Sequence, residues 1–318
     1  MKKKILYFEK LDFQKESIRL IKRKFDLIPS KKIKKKDFSL IKSIFLPMNN
    51  YYSKQFFSKY KNLRSVISPT TGDIHLDRSY LRKKKIKLIN LSKQKEILNN
   101  ITATSEVTIG HIINLTRKIL EIHTNFLYTK KFKKYNYLLS NKILTVGIVG
   151  MGRIGKHVAE RSKGLGFNVI YFDPFVKDKR YKKIINFRNF LKKTNILTIH
   201  MHYKKKYHNK FNKNIFKLLR KPSYFVNTSR GEFVNESDLI KSLKNKTLTG
   251  AGLDVVKNEF KEKFRKSPKK NILYNFFIKN KKYNFFITPK QGGSNKSAWL
   301  ITEKLLINQL IEYEKNKI

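Results

Sequence analysis

Short runs dense in Ile, Leu, Val and Phe alternate along this chain with longer stretches whose apolar positions fall at helical spacing. Lys4 to Glu9, Ile41 to Leu46, Ser65 to Ser68 and Lys85 to Asn90 predict strands, and Gln14 to Lys24 predicts a helix. After a break at Asn99-Asn100, residues Val107, Ile109, Ile112, Ile113, Leu115, Ile119 and Leu120 predict one long amphipathic helix. Thr104 or Ser105 is its expected cap, with Glu106 in the first turn complementing the helix dipole. Further strands are predicted from Ile143 to Val149, Asn168 to Phe172, Asn195 to His200, Tyr224 to Asn227, Gly250 to Val256 and Phe285 to Thr288. A last helix, Ser297 to Glu314, is expected to pack back on the first domain. Such alternation predicts an α/β protein with parallel sheets and right-handed crossovers.

One of these junctions carries chemistry. The strand Ile143 to Val149 runs straight into Gly150-Met151-Gly152-Arg153-Ile154-Gly155, and the next strand ends at Asp173, 18 residues beyond Gly155. In a dinucleotide-binding unit the first glycine permits the tight turn, the second lets the backbone approach a pyrophosphate, and the third lets helix and strand pack closely. Free N–H groups opening the helix, around Arg153 and Ile154, bind phosphates. Asp173 stands near the ~20-residue offset expected of the carboxylate that accepts the ribose hydroxyls, and it would repel a 2′-phosphate. A bare glycine pattern also fits an ordinary strand-to-helix turn, but the flanking strands favour a dinucleotide site with NAD preferred over NADP.

Composition narrows the classes. The 318 residues suffice for two domains, and the absence of cysteine excludes a disulfide framework and a thiol nucleophile. Ile5-Leu6-Tyr7-Phe8 stops at Glu9-Lys10, short of the ~7 to 15 residues of a signal-peptide core. With no apolar run of ~18 residues, a cytoplasmic protein without a membrane segment is expected. The net charge of +51 would attract polyanions, but only 13 of the 73 basic residues are arginine. Lysines spread over the whole length, without a nucleic-acid-binding signature, argue against a specific nucleic-acid partner. His200 and His202 alternate on one strand without a third ligand, so no metal site is expected.

Four later segments, Asn227-Thr228-Ser229-Arg230-Gly231, Gly250-Ala251-Gly252-Leu253-Asp254-Val255, Glu259 and Thr288-Pro289-Lys290-Gln291-Gly292-Gly293, resemble in order and spacing the signatures of the D-isomer-specific 2-hydroxyacid dehydrogenases. Ser68-Pro69-Thr70-Thr71-Gly72 and Thr104-Ser105-Glu106 resemble that family's substrate loop and interdomain helix. The resemblance implies two Rossmann-like domains with doubly wound parallel sheets. Residues 1–99 and 296–318 would form a discontinuous substrate domain, and 100–295 the NAD-binding domain. It further implies that Arg230 grips the carboxylate and carbonyl of a 2-hydroxy or 2-oxo acid, helped by backbone N–H groups of Thr70, Thr71 and Gly72. His200, Thr228 and Asp254 would line the cofactor, Asp254 near the nicotinamide or simply capping its strand. Glu259 would orient the acid-base group, and a homodimer is expected.

The chain departs from the pattern at the acid-base group itself. Where the family carries a histidine after Thr-Pro, this sequence has Lys290, and no histidine lies in the last hundred residues. Lysine starts protonated, with a reference pKa of about 10.4, so it suits carbonyl reduction; alcohol oxidation would need the neutral amine and alkaline pH. Burial and Arg230 would lower its pKa while Glu259 would raise it. Phe260 replaces the family's usual proline, and 130–141 lacks the tryptophan often found in the dimerisation arm. The expected function is NAD-dependent hydride transfer to or from a small D-2-hydroxy acid or 2-oxo acid. The alternative is a catalytically impaired NAD-binding sensor that recruits a partner.

Overall fold

Two wholly parallel sheets organise the chain. The computed structural model describes residues 2–47, 50–73, 75–132, 134, 138–259, 264, 267–280, 282–293 and 295–316. The first sheet has the order β2-β1-β3-β4-β5, built from β1 (Lys4–Tyr7), β2 (Asp26–Pro29), β3 (Ile41–Phe45), β4 (Ser65–Ser68) and β5 (Lys87–Asn90). The second comprises β6 (Thr145–Val149), β7 (Asn168–Phe172), β8 (Lys182–Lys183), β9 (Ile196–Ile199), β10 (Tyr224–Asn227), β11 (Gly250–Leu253) and β12 (Phe285–Ile287). Its order is β12-β11-β10-β9-β6-β7-β8. Strand order runs outward in opposite senses from the parallel pair β6 and β9, which makes their junction the switch point at whose carboxyl edge doubly wound sheets bind ligands.

The chain divides into two units, one holding the residues up to Ile101 with those from Asn295 onward, the other beginning at Thr102. In the first, one face of the sheet packs Ile5, Phe45, Ile67 and Ile89 against Ile21 of the Lys15–Lys24 helix and against Leu306, Ile307 and Leu310 of the Lys296–Lys315 helix. The last helix therefore returns to the first sheet, as its place in the sequence predicts. In the second unit both faces of the sheet are covered. Val146, Ile148 and Val226 pack with Ile112 and Leu115 on one side, and Leu197, Phe225 and Leu253 with Phe190, Phe216 and Leu239 on the other. Burial on both faces explains why these strands read as continuous apolar runs.

Three features differ from the sequence reading. The stretch expected to form one long helix is two, Ala103–Arg117 and Ile119–Thr129, because Lys118 turns left-handed at φ +51°. The Asn114 side chain accepts the Leu120 N–H at 2.9 Å and so satisfies a donor at the start of the second helix. The N-cap of the first helix is Thr102, not Thr104 or Ser105. β2 and β8 were not anticipated; both are short edge strands. Phe260, and Lys133 with 135–137 in the presumed arm, lie outside the described residues.

Candidate functional site

The glycine turn after β6 is built by close backbone approach. Gly150 has φ +94°, and a Cβ there would fall 2.6 Å from the His200 carbonyl oxygen at the end of β9. A Cβ on Gly155 would fall 2.1 Å from the Gly150 carbonyl oxygen. Gly155→Ala is therefore expected to lower stability by about 1–3 kcal/mol, as overpacking of a rigid contact does. Thermal unfolding checks this, and an unchanged midpoint would show that the turn yields.

Gly152 differs: a Cβ there meets no atom of the described residues within 4 Å. It is the N-cap of the Arg153–Gly164 helix and offers no side-chain cap to the opening N–H groups. Open space over uncapped N–H groups fits an anionic group such as a pyrophosphate. Arg153 is half-buried, and burial lowers its pKa, yet a guanidinium keeps its charge. Ile154 packs into the core beneath the turn. Asp173, at the end of β7, is fixed by three backbone N–H groups: Oδ1 accepts from Phe175 at 2.8 Å and Val176 at 2.9 Å, and Oδ2 from Met151 at 2.8 Å. The carboxylate is thus tied to the glycine turn itself. His200 completes this edge; its Nε2 lies 2.9 Å from Thr198 Oγ1, and burial pushes its pKa down to about 3, so the ring is neutral.

A second cluster forms at the carboxyl ends of β10, β11 and β12. Arg230 follows β10, is half-buried, and donates to its neighbour's carbonyl, Ser229 O, at 2.7 Å. Behind it Gly231 lies flat against Val256 and Lys257, where a Cβ would come within 2.0 Å of the Val256 carbonyl carbon. That contact brings the turn carrying Glu259 alongside. The Lys290 ammonium is bonded to Glu259 Oε1, and Val256 N–H donates to Glu259 Oε2 at 3.2 Å. Burial is the largest influence on both groups, pushing the Lys290 pKa down and the Glu259 pKa up; Arg230 adds to the lowering of Lys290 and offsets the rise at Glu259. Lys290 itself sits at φ +56°, a conformation that costs a non-glycine residue about 1–2 kcal/mol.

Asp254 holds this corner together. It is 2 % exposed, and its carboxylate accepts from the Thr288 hydroxyl at 2.5 Å, Gln291 N–H at 2.7 Å and Gly292 N–H at 2.7 Å. Its carbonyl accepts the Lys290 N–H at 3.0 Å. Its carboxylate thereby caps the turn after β12 rather than the end of its own strand. Thr228 bonds through its hydroxyl to Thr108 at 2.8 Å. The Ala103–Arg117 helix also brings Thr104, whose hydroxyl donates to Gly292 O at 2.7 Å, and His111, whose Nε2 lies 3.0 Å from Thr288 Oγ1. Sequence reasoning missed these partners. Their signal was present: Thr104, Thr108 and His111 stand at i, i+4 and i+7, a polar stripe on an apolar helix.

In the first unit, the loop after β4 carries Thr70, Thr71 and Gly72. The Thr70 N–H is taken by Ser68 O at 2.8 Å, and its hydroxyl donates to Gly72 O at 2.5 Å. Among the three main-chain donors expected of this loop, Thr70's is therefore already engaged. The His75 ring, with Nε2 2.9 Å from Ser68 Oγ, buttresses the strand end.

Residues 109–291, more than half of the chain, match the model of the D-isomer specific 2-hydroxyacid dehydrogenase NAD-binding domain. A Staphylococcus aureus (strain MRSA252) protein assigned as a 2-hydroxyacid dehydrogenase is 31% identical over 209 residues, which are 63% of this chain and 63% of that one. The alignment thus spans less than two thirds of that relative's length. Among solved structures, D-lactate dehydrogenase from Aquifex aeolicus, complexed with NAD and lactic acid, superposes with TM-score 0.82 at 20% identity, covering 98% of this chain and 96% of the other. An NADPH-dependent glyoxylate/hydroxypyruvate reductase from Sinorhizobium meliloti, in complex with NADP and malonate, superposes with TM-score 0.79 at 17% identity, covering 98% and 94%. The fold agrees with both, and by the match along its second sheet the chain belongs to the D-isomer specific 2-hydroxyacid dehydrogenase family.

Proposed function

We propose that this protein reduces a small 2-oxo acid to the D-2-hydroxy acid with NADH, using Lys290 where the family resemblance implies a histidine. The observation that carries the reading is the Arg230, Glu259 and Lys290 cluster: a guanidinium beside a partly buried, carboxylate-paired ammonium. A bound nicotinamide dinucleotide supplies the hydride. Gly150, Gly152, Gly155 and the N–H groups of Arg153 and Ile154 hold its pyrophosphate, Asp173 accepts its ribose hydroxyls, and His200, Thr228 and Asp254 line its path. Arg230 holds the substrate carboxylate and polarises the carbonyl. Thr71 and Gly72 carry the proposed main-chain donors for a carboxylate. Lys290 donates the proton to the nascent alkoxide, and Glu259 keeps that lysine charged and aimed.

The test is NADH consumption at neutral pH across 2-oxo acids of increasing side-chain size, repeated with NADPH. Turnover with NADH and at least about tenfold weaker use of NADPH, a difference of ~1.4 kcal/mol, is expected. Equal use of both would remove the role assigned to Asp173. Lys290 itself favours a second reading, a catalytically impaired NAD-binding sensor. Thermal stabilisation by NADH without turnover of any acid would select that reading.

A homodimer fits the Ile119–Thr129 helix, which exposes Ile119, Leu120, Phe126, Leu127 and Tyr128, with Leu127 at 59% and Tyr128 at 77%. Such a row of apolar side chains is costly to leave in water. Light scattering is expected to give twice the chain mass of 37.8 kDa; a monomer at micromolar concentration would contradict the assignment.

A further inference from the structure

The Thr288 hydroxyl sits between two groups with one proton to give. It is 2.5 Å from Asp254 Oδ1 and 3.0 Å from His111 Nε2. The hydroxyl donates to Asp254 Oδ1, which also accepts the Gln291 N–H, so the hydroxyl oxygen must accept from His111. That fixes the tautomer: His111 carries its hydrogen on Nε2 and leaves Nδ1 bare. The other side of the ring agrees. His111 is 4% exposed, and among the described residues no hydrogen bond of good geometry reaches its Nδ1, which a bare nitrogen tolerates better than a buried N–H. Burial, partly opposed by Asp254 and by the Gly252 backbone, also lowers its pKa and favours the neutral ring. Orientation is set by packing, with Phe286 edge-on at 4.8 Å and Gly252 below, where a Cβ would come 3.1 Å from Nδ1.

Asp254 in turn binds the Gln291 and Gly292 N–H groups with its side chain and the Lys290 N–H with its carbonyl. The left-handed turn that presents Lys290 is therefore held by Asp254, through side chain and main chain together. We propose that His111 is a positioning residue whose Nε2–H, acting through the Thr288 hydroxyl on Asp254, locks the turn that aims the Lys290 ammonium. The inference rests on the reading of Lys290 as the proton donor. It assigns a role in the reaction to a helix residue that touches no reacting atom.

The experiment has two arms on the full chain. ¹⁵N NMR of histidine-labelled protein is expected to show His111 with a bare Nδ1 and a protonated Nε2 through neutral pH; a protonated Nδ1 overturns the proposal. In the second arm, His111→Leu is expected to lower kcat for 2-oxo acid reduction roughly 10- to 100-fold, as misplacement of a catalytic group does, with the KM for NADH unchanged. His111→Gln, whose amide nitrogen can donate from a similar position, is expected to restore most of that loss. In a Lys290→Met background, His111→Leu should add nothing. A fully active His111→Leu, or a folded His111→Gln as impaired as the leucine variant, overturns the inference while leaving Lys290 in place. A fully active Lys290→Met overturns the underlying reading instead.

Discussion

Lys290→Met is expected to lower kcat for reduction of the best 2-oxo acid by roughly 10²- to 10⁴-fold, the usual contribution of a general acid. Methionine keeps much of the side chain's length and apolar stem, so the turn from Thr288 to Gly292, held by Asp254, should survive. NADH binding should persist, because the glycine turn and Asp173 lie at the other end of the proposed cofactor path. Loss of turnover with retained thermal stabilisation by NADH is the signature of a missing proton donor. Removing the ammonium also leaves Glu259 buried without its partner. Burial already raises the Glu259 pKa, and loss of the lysine removes the main opposing influence, so the carboxyl should take up a proton more readily. Unchanged reduction would show that water or another group delivers the proton.

Arg230→Leu is expected to lower kcat by about 10²- to 10³-fold, the effect of removing one donor to a developing oxyanion, and to raise the KM for the acid as well. A guanidinium offers paired donors in one plane, and an ammonium does not, so Arg230→Lys should recover little. The variant also removes a positive charge that lowers the Lys290 pKa and helps keep Glu259 ionised. Residual activity in Arg230→Leu should therefore extend to higher pH than in the wild type. Steady-state kinetics over substrate concentration and pH checks both statements. A rise in KM alone, with kcat intact, would confine Arg230 to ground-state binding.

How far the sequence discloses these arrangements depends on what each one rests on. The glycine turn was legible because backbone sterics demand it: Gly150 needs a positive φ, and Gly155 has no room for a Cβ. Most strands were legible because parallel sheets covered on both faces require unbroken apolar runs. β2 was not, since Asp26 and Pro29 bound a run of only Leu27 and Ile28, a composition an edge strand tolerates. The break at Lys118 left no mark either, because apolar spacing continues through it and the stop is made by a left-handed lysine and the Asn114 side chain. At the candidate site, motif order singles out Arg230, Glu259 and Lys290. The bonds among His111, Thr288 and Asp254 join residues far apart in the chain, and only the packing of the Ala103–Arg117 helix on β10 and β11 brings them together. Thr70 shows the reverse: the motif suggests a donor, and the fold spends that N–H on Ser68.

The central claim is that Lys290 gives up the proton, and the pH dependence of reduction by wild-type enzyme and by Lys290→His tests it most directly. Burial and Arg230 lower the lysine from its ordinary value, so wild-type reduction should hold at neutral pH and fall as pH rises through that lowered value, while oxidation of the hydroxy acid rises over the same range. In Lys290→His the fall should move down toward about 6.5, the range of an imidazole. A limb that stays where it was in the lysine enzyme would contradict the account.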